Sequence, residues 1–337
     1  MADIVESLVP PGNPATPGGV VYTLMSTAEA GGQGTYGDLV AGGNTYTLDC
    51  YAGTIIDSCL WDGWVTGPAN GITVKAATGV PTGIIDAGFI IEYSNNFGDV
   101  IEVNNTFVVL SGLQVNALAA TPGESINCNN LDGTRVDSCI LTGAGRNDKS
   151  IVYRPNYISN TIIIVDGSIS NVIGLELGAQ SDAEIVNCTV INKLGTGQTG
   201  ITRAFGSPKA INNVSCGWIV GDYNAGFVSS TNNASGDLTA SSEGYGTVTG
   251  VDYTTAGVDF IDPTINDFRP QPGGKLAGAG TSPPVFLLDI EGNTRPDPDD
   301  IGAYAIPSAG ASITFTGPNV TQIDGTQDTP LPDPTPD

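Results

Sequence analysis

The runs FVVLSGLQV (Phe107–Val115), RVDSCIL (Arg135–Leu141), ISNTIIIV (Ile158–Val165), EIVNCTVI (Glu184–Ile191) and INNVSCGWIV (Ile211–Val220) decide the fold. Aligned on Gly112, Cys139, Thr161, Cys188 and Cys216, they advance by 27, 22, 27 and 28 residues. A second family of runs lies between them: VIEV (Val100–Val103), SINC (Ser125–Cys128), SIVY (Ser150–Tyr153), VIGLEL (Val172–Leu177) and GITRAF (Gly200–Phe205). Aligned on Ile101, Ile126, Ile151, Ile173 and Ile201, these step by 25, 25, 22 and 28. Both families are rich in β-branched residues and alternate apolar with polar side chains, which is strand chemistry. Two strand sets that share one period describe a solenoid, whose coils bury their apolar faces only against each other.

Coils of about 22–28 residues, built from short strands and Gly/Asn/Asp turns, fit an all-β, right-handed parallel β-helix. Leucine-rich repeats have this period but need a Leu/Asn spacing that is missing here, and a sandwich would need hairpin signals. Coils rise by about 4.8 Å, so equivalent residues form ladders along the axis. Cys139, Thr161, Cys188 and Cys216 make one such ladder in this alignment, and the isoleucines another. A Cys188–Cys216 disulfide is then conceivable, while small buried thiols filling a ladder is the favoured reading.

The chain has 337 residues, 11 basic and 35 acidic, with a net charge of −24 and no histidine. That charge argues against nucleic acid and anionic membrane as partners. Lack of histidine removes the commonest general base and metal ligand. The six cysteines show no CxxC spacing, so a zinc site is not expected. MADIVESLVPPGNP lacks the basic and apolar regions of a secretory signal, and no apolar run is long enough to span a bilayer, so we expect folding in a reducing host cytoplasm.

Residues 1–19 read as an extended arm, and residues 20–306 as the β-helix with an N-terminal cap and closing strands. Residues 307–337 read as an acidic Pro-rich tail. Tyr22–Gly32 has one apolar side and reads as a short helix. Tyr46–Gly53, Asp57–Trp64 and Gly71–Gly79 read as irregular first coils, with Trp61 and Trp64 covering the open end. Gly221–Val258 reads as later coils with a long side loop.

The order YTL…AEAGG…GDLV…YTLDCYAG…WDGW…ITVKAATG resembles the opening of right-handed β-helix proteins among bacteriophage structural and tail-associated proteins. FIDPTINDFRPQPGGKLAGAGT (Phe260–Thr281) followed by DIEGNTRPDPDDIGAYA (Asp289–Ala305) resembles the closing segment of many right-handed β-helix proteins, enzymes and adhesins as well as phage proteins, with Ala305 replacing a final acid and Gly274-Lys275 replacing Ser-Pro. ASITFTGPNV (Ala311–Val320) resembles the first strand of an Ig-like module. The resemblance implies a virion structural protein, a capsid decoration attached through its terminal arms. Expected partners are further copies in a homotrimer, the major capsid or other virion proteins through residues 1–19 and 307–337, and a host surface glycan. The alternative is a tail spike or fibre with glycan binding or depolymerase activity.

For an enzyme, a carboxyl pair is the first requirement. Asp57 with Asp62 and Asp132 with Asp137 qualify on spacing alone, and chance pairs are expected among 35 acids. GRNDKSIVYR brings Arg146, Asp148, Lys149 and Arg154 onto one turn and strand, as a lyase would need, yet solvated turn charges are favoured. PDPDD (Pro296–Asp300) lacks calcium-loop spacing. Trp218 reads as core or subunit contact rather than a sugar platform. No residue is therefore assigned a catalytic, cofactor-binding or metal-ligating role, and no cofactor is expected.

Overall fold

Each coil carries three strands rather than the two read from the sequence. The computed structural model describes residues 2–13, 15, 17, 20–77, 88–93, 98–117, 123–129, 131–143, 150–166, 171–178, 183–195, 197–224, 226–282 and 284–306. Within them, three all-parallel sheets of nine, eight and seven strands wrap a common interior, so the fold is a parallel β-helix. A typical coil runs from Arg135–Asp137 in the first sheet through Ile140–Gly143 in the second to Ser150–Tyr153 in the third. The next begins again at Tyr157–Ser159.

The corner between the first two sheets is a single residue with positive φ. It recurs as Gly112 (69°), Ser138 (53°), Asn160 (45°), Asn187 (54°), Asn212 (57°) and Asn232 (55°). Asparagine is the side-chain-bearing residue that best tolerates this left-handed conformation, which explains its recurrence in one column. What reads in sequence as one long strand, FVVLSGLQV, is therefore two strands with a bend at Gly112.

The bend also corrects the alignments. The third-sheet ladder is Ile101, Ile126, Val152, Leu175 and Ile201, so Ile151 and Ile173 lie one and two places out of register on the expected neighbouring coils. Cys139, Thr161 and Cys188 do share a column, directly after the corner. Gly112 belongs to the corner itself, and the next coil places Asn213 where Cys216 was expected, because Cys216 pairs with Ile191 three residues later. All six cysteines are free and buried. Asn213 replaces the small thiol with an amide ladder: it accepts from the Cys188 N–H (2.9 Å) and donates through Nδ2 to the Ile185 carbonyl (3.0 Å). Its own N–H donates to Asn233 Oδ1 (2.9 Å).

Both ends are covered. At the start, Met25–Tyr36 is helical and buries Met25, Ala28 and Gly32. A Cβ at Gly32 would stand 2.8 Å from the Tyr46 ring, so glycine is required there. Trp61 and Trp64 tilt against Tyr46 at 6.3 and 4.8 Å between centroids, and Trp64 Nε1 donates to Glu29 Oε1 of the helix at 3.1 Å. The first residues are not an arm throughout: Asp3–Leu8 forms a strand paired along its length with Thr45–Cys50. Its alternation is masked in sequence by Glu6, a buried carboxylate that accepts from Tyr46 Oη at 2.7 Å. At the far end, Phe227 and Tyr245 meet edge to face and share the core with Ala240 of the short helical turn Thr239–Ser242.

The closing segment does not end the stack but runs along its flank. Phe260, Phe268, Leu276, Ile290, Ile301 and Tyr304 form a second core with the outward-facing Ile140, Ile162, Ile164, Ile191 and Val214 of the second sheet. Arg295 fastens it, wholly buried, donating to Asp299 Oδ1 (3.0 Å), Asn160 Oδ1 (3.0 Å) and the carbonyls of Gly302 and Ala303. Residues 307–337, read as a tail, lie outside the described residues.

Candidate functional site

The outward face of the first sheet carries a depression in two parts. Its lower part, of about 1060 Å³, is floored by Thr45, Thr47, Thr73 and Val109 and edged by Phe107 and Asp132. Its upper part, of about 720 Å³, is lined by Tyr157, Asp137 and the segment from Val285 to Asp289. Val109 and Arg135 line both parts, so they form one groove crossing successive coils. From the strand holding Asp3 to that holding Tyr157 there are five strand spacings, a length of about 24 Å.

Arg135 stands in the middle of this groove. It is exposed, and its guanidinium carbon lies 5.3 Å from the centroid of Tyr157, the residue directly above it in the ladder. Tyr157 is held in turn by Phe286, edge-on at 6.4 Å. Every other described lysine and arginine stands against an oxygen of the protein, as Lys75 does with Asp49, Arg154 with Glu176 and Lys209 with Glu184. Among the described residues Arg135 alone has only an aromatic ring as partner. Beside it, Asp137 accepts from Ser159 Oγ at 2.5 Å and Ser138 Oγ at 3.1 Å, while Asp132 is exposed.

A second, smaller pocket of about 280 Å³ sits at the far end of the stack, lined by Trp218, Ile219, Asp222, Asp237 and Tyr253. Asp222 and Asp237 exchange hydrogen bonds: each backbone N–H donates to the other's Oδ2, at 3.2 and 2.9 Å. Burial, with the neighbouring Asp237 charge adding to it, pushes Asp222 up to about 7. Burial works against Asp237 too, but hydrogen bonds from Thr239 Oγ1 and N and from Asp222 N hold it below the usual carboxylate range. Two adjacent carboxyls are thus set apart by their surroundings.

The pairs expected from the sequence are placed elsewhere. Asp57 caps the N-terminal helix, accepting from Ser26 N (2.9 Å) and Oγ (3.1 Å). Asp62 lies beside Glu29, with its N–H 3.5 Å from Glu29 Oε1. Asp132 and Asp137 do share the groove face. Arg154 pairs with Glu176 at 3.0 Å, and Arg146, Asp148 and Lys149 lie outside the described residues. In PDPDD, Asp299 pairs with Arg295, and Asp300 accepts from the N–H groups of Gly278 and Ile306, so both fasten the flank. Trp218 is core: a Cβ at Gly174, Gly197 or Gly200 would come within 3 Å of its indole. Among the described residues, no three His, Cys, Asp or Glu side chains gather as a metal-holding group, and no helix is long and apolar enough to cross a membrane.

Sequence reasoning missed Arg135 and the Asp222–Asp237 pair. The signal for Arg135 was a lone cation on a strand of an acidic chain. Asp222 and Asp237 are separated by a turn whose closure the sequence does not reveal. No protein-family model matches the chain, and no curated protein or solved structure matches it.

Proposed function

We propose that this chain is a structural protein of a bacteriophage particle, a decoration on the outside of the capsid. The observation that carries the reading is a β-helix covered at both ends and fastened along its flank, with a bare apolar strip beside the groove. Val285, Leu287 and Leu288 are 45, 74 and 51% exposed in one continuous stretch. Consecutive apolar residues facing water mark a contact surface. The resemblance of residues 22–79 to the opening of phage β-helix proteins agrees with this role. Since Asp3–Leu8 is built into the first sheet, attachment to capsid protein falls to residues 307–337 and the Val285–Leu288 strip, with copies of the chain meeting as a trimer.

A spike or fibre at the tail is the second reading, favoured by the groove over Arg135. Cryo-electron microscopy of purified particles, with an antibody against this chain, tests both. Label at symmetry-related positions over the shell is expected; label confined to a tail or single vertex selects the spike. Particles free of the chain overturn the virion assignment altogether.

A further inference from the structure

We infer that the groove on the first sheet is a binding site for a neutral, hydroxyl-rich polysaccharide chain, with Arg135 as its central donor. A guanidinium carries five N–H donors and sheds its weakly held water readily, and the other described cations of this chain place their donors against protein oxygens. Arg135 instead lies over Tyr157 and lines both parts of the groove, with its N–H donors on no protein oxygen among the described residues and so open to an occupant.

The surrounding chemistry selects the ligand class. Asp132 and Asp137 flank Arg135 in the same depression, and the whole chain carries −24, so an anionic polymer is repelled. Paired acceptors and a forked donor, beside threonine hydroxyls on the groove floor, match the vicinal hydroxyls of an uncharged sugar. Tyr157 and Phe107 offer ring surface to the apolar face of a pyranose. An extended peptide is disfavoured because this is a sheet face, not an edge: the strands on it already pair on both sides, leaving no backbone groups for strand addition. The length of about 24 Å along the coils calls for several linked sugars rather than one.

The site does not depend on the capsid reading and fails or stands separately from it. The test is a glycan array holding neutral and acidic oligosaccharides of up to eight units, probed with the full chain. Binding to at least one neutral chain of four or more units is expected, unchanged between low and high salt. Arg135→Ala should weaken it about tenfold or more, as for loss of hydrogen bonds to a charged donor. Thr73→Trp, which fills the floor at an outward strand position, should abolish it, while Lys209→Ala, beyond the groove, should leave it intact. Thermal melts of the variants confirm that each is folded. Binding to nothing on the array, binding confined to acidic glycans, or binding untouched by both groove substitutions overturns the inference.

Discussion

Replacing Asp222 by asparagine removes the titrating group at the end of the stack and should flatten part of the pH dependence of stability. Asp222 is 1% exposed and titrates near 7 rather than 3.8. The folded chain therefore holds this proton more tightly than the unfolded chain does. The stability it contributes is complete below about pH 3.8 and is lost as pH rises to about 7. At about 1.4 kcal/mol per pH step, the whole contribution is about 4 kcal/mol. Its neighbours stay constant across that window. Asp237 is held below the usual carboxylate range and stays charged, while burial pushes Cys216 and Tyr223 far up and Tyr253 up, so they stay neutral. The asparagine variant would lose one acceptor for the Trp218 or Asp237 N–H, a cost that is the same at every pH. Slope, not offset, is the readout. Urea unfolding of both proteins from about pH 4.5 to 8 should show the wild type losing about 3 kcal/mol relative to the variant, the rest having been lost below about pH 4.5. Parallel pH curves for the two proteins would refute the reasoning.

Arg295→Met should cost about 3–5 kcal/mol, because it leaves the buried Asp299 carboxylate unpaired. Limited proteolysis should then cut within residues 284–306 while the coils stay intact; resistance equal to wild type would mean that the apolar contacts alone hold the flank. The buried thiols should resist iodoacetamide at about pH 8, since burial pushes Cys128, Cys139 and Cys188 up to about 12. After unfolding without reductant all six should be alkylated, whereas four would reveal a disulfide.

The repeat was legible because period survives errors of register. Two strand families, each misaligned at two members, still gave coils of the right length, since a slip of one residue at Ile151 or three at Cys216 leaves the mean step almost unchanged. The three-strand cross-section was hidden because its sharpest corner takes one residue, and one Ser138 or Asn160 inside a run of apolar residues looks like alternation rather than a bend. The coil from Ile72 to Val108 was hidden for the opposite reason: it spans 36 residues, and so falls off the period. Groove and carboxyl pair were less legible still. Arg135 gains meaning only beside Tyr157 one coil above, and the sequence distance of 22 residues says nothing of which side chain faces which. Glu6 misled in the same way, a charge that reads as solvent-facing until the Tyr46 hydroxyl is placed against it.

Fastening by Arg295 has a temporal side. The guanidinium reaches Asn160, 135 positions earlier, and the Ala303 N–H reaches Thr189, 114 positions earlier. A growing chain on the ribosome can wind its coils as they emerge, each upon the last. Their outer isoleucines, Ile140, Ile162, Ile164 and Ile191, stay naked until the flank segment that covers them has been made. During that interval the nascent protein is a sticky half-product, and a premature stop before Leu276 would leave it so for good. Completion of synthesis, rather than winding of the coils, is the step that turns this chain from an aggregation hazard into a finished part.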